Sequence, residues 1–501
     1  MAVRRSTLLV IGALMVLGIG VRLANDIVWR PLEIRPQLMA EYTPEDPDAL
    51  ILGGDAAYYH YQARALAAGD GYADGYRWAS FDGWVVPSAS HPPAFATYLA
   101  AWTLLGVDSP QGHRIAASLL GLVTIAGCAA AAHRLAGERA AILAAAIAAL
   151  YPNAWINDTM LLSEALAQAA VACFLYAAIR CWQDRTWPWA AAAGVAAAVS
   201  TLTRNEQFVL FGVLLVLLVF RRGQRVVDGI RLAAVAGLAG LVLIAPWVAR
   251  NLTTFDQTTV FTTGIGGAIS AASCDETYSG EKLGWYHDCF DPPDPNAVDA
   301  EGHPIFVDED GKVLDETGRD AEPYRQGMAY LKSHLGEYPK VVAARVGRLW
   351  GWYRPIQTTR FDIDVESRGE WQSWLGLAGL YSIQVLGVAG LVVMRRRRLP
   401  ISPALALIGV ATFGAAITFG VGRYRSTAEI ALVVSASIAL AALWDRWSPP
   451  SEAPDPSGPD DADPEESGSE EVEAGSSGRR DRSRSAPMPA STTQTTSAAT
   501  R

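Results

Sequence analysis

Charge is what this sequence has least of for its size. Asp, Glu, Lys and Arg make up 18% of 501 residues, half of the chain is hydrophobic, and the mean hydropathy is positive. So little charge excludes an ordinary soluble globular surface and leaves the membrane class. Cysteine is scarce as well, five residues in all, and Cys128, Cys173 and Cys181 sit in or at the ends of apolar runs, where a thiol behaves as a small hydrophobe. No P-loop, Rossmann glycine fingerprint or zinc-ligand spacing is present. No small-x-small cleavage site follows the run Leu8 to Leu23 behind Arg4 and Arg5, so this run is expected to remain as a first helix. The formal net charge of -10 gathers after Asn251 and after Pro449, so it says little about binding, and no nucleic-acid partner is expected.

Apolar runs are what the sequence does have. A hydrocarbon core about 30 Å thick needs about 20 apolar residues per helix, and such runs recur from Leu8 to Trp444. Arg gathers on the cytoplasmic side of short loops. The groups at Arg4 and Arg5, Arg134 and Arg139, Arg180 and Arg185, Arg221 to Arg225, Arg395 to Arg398, and Arg446 are therefore placed inside. Between them fall helix pairs: 140–156 with 161–181, 188–203 with 207–220, 231–248 with 373–394, and 402–421 with 427–444. Ahead of these, 8–23 and 115–132 cross, while 94–107, short and begun by Pro92 and Pro93, is read as a juxtamembrane helix on the outer surface. The expected architecture is an all-α polytopic membrane protein of about ten helices with both termini cytoplasmic.

Four regions follow: an N-terminal transmembrane bundle over 1–250 with its first outer loop at 25–113, an extracytoplasmic loop subdomain over 251–371, C-terminal transmembrane helices over 372–447, and a tail over 448–501. The tail is Ser, Pro, Asp, Glu and Thr with almost no aromatics, a composition that cannot bury a core, so it is read as disordered and cytoplasmic. Cys274 and Cys289, about 15 residues apart in the polar loop, can form a disulfide if that loop lies outside the cytoplasm.

Several polar residues stand where this topology makes them costly or conspicuous. Asp55, in Gly53-Gly54-Asp55-Ala56-Ala57-Tyr58-Tyr59-His60, is a carboxylate beside aromatic and imidazole groups that can take a proton from a hydroxyl; as a local pattern it equally suits a helix N-cap. His91 precedes Pro92-Pro93 at the start of the surface helix. Glu164 opens a spanning run, either as a functional acid or as an acid stabilised by the helix dipole. Arg204, in Thr203-Arg204-Asn205-Glu206, contacts a ligand or closes a paired-charge turn. Arg423 and Arg425 flank Tyr424 where the positive-inside rule disfavours arginine; guanidinium forks there suit a phosphate, with pairing to Glu429 as the structural alternative. His60, His91 and Asp55 include metal-binding residue types, but nothing in their spacing requires a metal or any other cofactor.

This ordered set, the Gly-Asp-Ala-Ala-Tyr-Tyr loop, the X-Pro-Pro helix start, the later acid and the Arg-Tyr-Arg turn, resembles the GT-C membrane glycosyltransferases, in particular the group of protein O-mannosyltransferases and aminoarabinose transferases. The resemblance runs from about Val21 to Trp444. It implies a polyprenyl-phosphate sugar donor with its tail in the membrane lipid and a cell-envelope acceptor that is protein, glycan or lipid. It also implies inverting transfer of a hexosyl or pentosyl group at the extracytoplasmic face. By the same match Asp55 is the general base, and Glu164 orients acceptor or sugar hydroxyls. His91 stands where relatives often carry Lys or Arg toward the carrier phosphate, with Arg423 and Arg425 able to compensate. Arg204, Tyr58 and His60 complete the expected substrate-binding set. A polytopic transporter of an envelope precursor is the rival reading, against which stands the lack of an internal repeat; a noncatalytic scaffold is the third.

Overall fold

A computed structural model describes residues 3–33, 50–221, 223–290 and 295–447. The tail, and most of the Asp291-Pro-Pro-Asp-Pro stretch, fall outside the described residues. Six helices among those described are long and apolar enough to cross a membrane: Arg5–Trp29, Pro110–Leu150, Glu164–Asp184, Val226–Thr254, Glu370–Arg396 and Gly422–Trp447. The chain is an all-α polytopic membrane protein.

The Pro110–Leu150 helix holds two of the expected crossings in one 41-residue element, divided at Gly137, whose φ of 83° only glycine adopts without strain. Shorter apolar helices account for the rest: Trp187–Thr201, Val209–Val219 and Ser402–Ile417, with 15, 11 and 16 residues. The expected span 140–156 ends early, at Leu150. Pro152 has no N–H to continue the ladder and instead begins a separate helix, Pro152–Thr159, every residue of which is buried. The apolar stretch after Pro92 forms the helix Pro93–Leu104, with Phe95 and Leu99 fully buried.

Small side chains let the bundle pack closely. Alanines from the Pro110–Leu150, Glu164–Asp184 and Trp187–Thr201 helices dominate its core, and a methyl group at Gly390 would collide with the Ser435 carbonyl.

Where the polypeptide turns at one end of the bundle, buried ions replace alanine. Arg22 pairs with Asp158 at 2.7 Å and Arg114 with Asp26 at 2.9 Å, all four side chains essentially unexposed. Ser118 donates to Asp26 at 2.6 Å, Gln168 to Asp158 at 3.0 Å, and Asn25 to Thr159 at 2.8 Å. Gly121 leaves room for the Arg22 guanidinium, which a Cβ would strike. This network fixes the run from Pro152 to Ser163, and with it the start of the Glu164–Asp184 helix.

The segment between Thr254 and Glu370 folds as short helices, one two-residue β-pair with an isolated bridge between Val307 and Val313, and the helices Glu316–Ser333, Tyr338–Leu349 and Pro355–Asp364. Buried Arg348 stitches it together, donating to the carbonyls of Leu283 and Glu281 at 2.6 Å each and to Thr358 at 3.0 Å. Cys274 and Cys289 are disulfide-bonded across 15 positions. Loop-closure entropy for a link of that span is worth about 3 kcal/mol. Replacing both cysteines by serine is therefore expected to open this segment to limited proteolysis; an unchanged cleavage rate would contradict it.

Candidate active site

Asp55 occupies the first turn of the helix Gly54–Ala68. The N-cap is Gly53, in an extended conformation, and no side chain caps this helix, so the Asp55 carboxylate is free to face outward. It meets two partners: Arg423 Nη1 lies 2.8 Å from Oδ2, and His91 Nε2 lies 3.5 Å from Oδ1. His91 is presented by its place before Pro92, since the residue ahead of a proline is pushed to extended backbone, and Pro92 in turn caps the Pro93–Leu104 helix. Its ring packs between Tyr58 and Tyr59, with centroids 4.8 and 4.9 Å away. The 254–370 segment secures the stretch just before His91: Glu316 accepts from Ser88 Oγ at 2.8 Å and from the Ala89 N–H at 2.6 Å.

Arg423 is the centre of the cluster. Besides Asp55, its Nε lies 3.3 Å from Glu366 and 3.9 Å from Glu164. Glu164, 1% exposed, pairs with Arg204 at 2.8 Å, and Arg204 also holds Glu206 at 2.6 Å. The Tyr424 ring lies beneath both guanidiniums, 4.8 Å from that of Arg204 and 5.7 Å from that of Arg423. One carboxylate oxygen of Glu164, Oε2, is buried without a hydrogen-bond partner. Burial works to raise the pKa of Asp55, but Arg423 and then His91 outweigh it and hold the group below the usual carboxylate range. Glu366 moves the other way: burial raises it, the neighbouring Asp55 charge adds to the rise, and Arg423 opposes both.

Two cavities meet at this cluster. One of about 450 Å³ is lined by Asp55, Glu366 and Arg423 together with the apolar Ala56, Met160, Leu162 and Val365. A second, of about 150 Å³, is mainly polar and bounded by Asp55, His91, Glu164, Arg204 and Arg423. Asp55 and Arg423 belong to both walls, which places the carboxylate and the guanidinium at the junction of an apolar-edged chamber and a polar one.

Of the residues singled out in the sequence, Asp55, His91, Glu164, Arg204 and Arg423 converge here. Three do not reach the junction. His60 lies in the core, Nδ1 to Nδ1 at 3.0 Å from His113, and burial lowers its pKa to about 3, so it stands as a neutral structural imidazole. It therefore does not complete a metal-ligand set with Asp55 and His91. The Tyr58 hydroxyl is engaged by Ser88 at 2.7 Å and Gln62 at 2.8 Å, leaving its ring as the wall behind His91. Arg425 turns the opposite way from Arg423. It is the one that pairs with Glu429, at 2.6 Å, while donating to the Leu349 carbonyl at 2.8 Å.

Glu366 is the residue that sequence reasoning passed over. It sits in a polar loop with no motif around it, and only folding brings it to Arg423. Its loop is clamped at the two residues that follow the acid: Arg30 donates to the Ser367 carbonyl at 2.6 Å, and Arg368 to Asn157 at 2.8 Å. Ser367 is held at φ 49°, a conformation L-residues rarely adopt, directly after Glu366.

Residues 90–249 match the family described as dolichyl-phosphate-mannose-protein mannosyltransferase. That stretch carries His91, Glu164 and Arg204. Asp55 and Arg423 lie outside it. Among solved structures, the archaeal oligosaccharyltransferase AglB from Archaeoglobus fulgidus, in complex with an inhibitory peptide and a dolichol-phosphate, is 12% identical with a TM-score of 0.45, covering 87% of this chain and 50% of its own. ArnT from Cupriavidus metallidurans, bound to undecaprenyl phosphate, is 16% identical with a TM-score of 0.39, covering 86% of this chain and 78% of its own. The chain thus spans about half the length of the oligosaccharyltransferase it matches. No curated protein matches the chain by sequence.

Proposed function

We propose that the chain is an inverting glycosyltransferase that moves a sugar from a polyprenyl-phosphate donor to a hydroxyl of a cell-envelope acceptor. The single observation that carries this reading is the Asp55–Arg423 pair on the common wall of two cavities, one apolar-edged and one polar. The mannosyltransferase family match over 90–249 supports it.

In this mechanism the Asp55 carboxylate takes the proton of the acceptor hydroxyl as its oxygen bonds to the anomeric carbon. The bond from that carbon to the phosphate oxygen breaks with inversion, and its electron pair leaves on the polyprenyl phosphate. Arg423 meets the charge that develops there, since a guanidinium fork matches phosphate oxygens. His91 orients Asp55, and Glu164, fixed by Arg204, offers its unpartnered oxygen to a sugar or acceptor hydroxyl. The 450 Å³ cavity, with Met160, Leu162 and Val365 on its walls, suits the lipid-proximal part of the donor. Arginine placement supports an extracytoplasmic active face with both termini in the cytoplasm.

The reading is tested by incubating purified protein with radiolabelled polyprenyl-phosphate sugars and envelope fractions. Label moving to an acceptor with inverted anomeric configuration is expected. Uptake into sealed vesicles, with no transfer from any donor, would instead identify a transporter.

A further inference from the structure

One guanidinium at the centre of the site is surrounded by three carboxylates, with Asp55 at 2.8 Å, Glu366 at 3.3 Å and Glu164 at 3.9 Å. A phosphate that is to use Arg423 must therefore displace one of them. Glu164 is committed to Arg204 at 2.8 Å and almost fully buried. The Glu366 side chain is 10% exposed, in a loop clamped at the next two residues, Ser367 and Arg368. Asp55 is the exception: its side chain is 33% exposed, it borders both cavities, and it keeps His91 as a second partner if Arg423 departs. It is the carboxylate that loses least when the ion pair opens.

Resting on the reading of a polyprenyl-phosphate donor, we propose that Arg423 is an exchangeable partner: it pairs with Asp55 in the donor-free protein and pivots on Glu366 to the donor phosphate, releasing Asp55 to act as base. In the donor-free pair Asp55 is a poor base, because the adjacent guanidinium favours its ionised form. Transferring that guanidinium to the phosphate removes the largest favourable charge interaction on the carboxylate and makes it a better proton acceptor. Donor binding thereby prepares the base before the acceptor arrives. Glu366 is a positioning residue in this scheme: its carboxylate, 3.3 Å from Nε without a hydrogen bond to it, keeps the guanidinium at the site by charge while the outer nitrogens change partner.

The exchange predicts a gain of affinity from losing a carboxylate. Binding of undecaprenyl phosphate, without a sugar, is measured on the full chain in detergent for wild type, Asp55→Asn, Arg423→Gln and the double variant. Asp55→Asn frees Arg423 from its internal partner and is expected to bind roughly fivefold to tenfold more tightly than wild type, the scale of coupling between contacting charged groups. Arg423→Gln is expected to bind at least about tenfold more weakly, and the double variant no better than Arg423→Gln alone. Asp55→Asn binding equal to or weaker than wild type, or a gain that survives in the Arg423→Gln background, overturns the exchange while leaving the donor reading in place. Arg423→Gln binding as tightly as wild type overturns the phosphate assignment itself. Arg423→Lys, which keeps the charge, separates loss of the phosphate partner from misfolding: it is expected to recover part of the lost affinity, and no recovery in a monodisperse Arg423→Lys protein counts against the exchange.

Discussion

Asp55→Asn is expected to cut sugar transfer by roughly a hundredfold to ten-thousandfold, the range a positioned general base supplies, while leaving insertion and folding intact. The substitution is nearly isosteric, and Asp55 lies in the first turn of a helix whose cap is Gly53, so the backbone does not depend on the carboxylate. What disappears is proton abstraction at the junction of the two cavities. Transfer from a polyprenyl-phosphate sugar, followed by label incorporation at saturating donor, is the measurement. Turnover at the wild-type rate in a correctly folded variant would remove Asp55 from the mechanism. The pH dependence has a defined sign as well. Burial raises the pKa of Asp55, but Arg423 and His91 lower it further, so in the donor-free protein the group stays ionised below its unfolded-state range. A depressed carboxylate contributes stability that is fully present above its unfolded pKa, about 4, and is lost only as pH falls through the lower folded value. Between pH 5 and 7, therefore, Asp55 in the donor-free protein neither titrates nor limits stability, and thermal unfolding of the donor-free protein across that window is expected to show no step attributable to it.

Much of the fold could be read in the sequence because a bilayer demands simple patterns. Runs of apolar residues punctuated by arginine located the helices, and Pro92-Pro93 marked a helix start that the structure places at Pro93. Where the reading slipped, the cause is local. Pro152 divided one expected span, since a proline inside a helix removes a hydrogen bond. At Gly137 the long helix breaks, between Arg134 and Arg139, where the sequence reading separates the crossings 115–132 and 140–156. The site was half legible. Asp55, His91, Glu164, Arg204 and Arg423 stood out because polar groups at helix ends near a membrane face are costly. Arg423 and Arg425, two residues apart, looked alike, yet the tight turn Gly422–Arg425 sends one to Asp55 and the other to Glu429. Glu366 was hidden for a different reason. Its meaning comes entirely from the Arg30 and Arg368 clamps that deliver it, contacts spanning hundreds of residues.

Those long-range contacts point to the second large effect, on stability. Arg22 and Asp158 form an ion pair with both side chains wholly buried. Asp158 also accepts from Gln168, and Arg22 donates to the Gly18 and Ala149 carbonyls at 3.0 and 3.3 Å. Taking ions out of water costs several kcal/mol each, and only close pairing with satisfied hydrogen bonds recovers it. Removing one partner leaves the other charged and uncompensated in an alanine-lined bundle. Arg22→Ala or Asp158→Ala is thus expected to destabilise the protein by about 3–5 kcal/mol, enough to convert a monodisperse detergent-solubilised peak into aggregate. The pair differs from a surface salt bridge in what happens when both members go. Replacing Arg22 by Met and Asp158 by Leu together removes the desolvation cost along with the attraction, so the double variant is expected to be more stable than either single alanine variant. Thermal unfolding followed by size-exclusion of the soluble fraction distinguishes the two outcomes. Single variants as stable as wild type would mean that water reaches this pair, and that the Pro152–Ser163 run, and with it the position of Glu164, is held by packing of its apolar residues rather than by these ions.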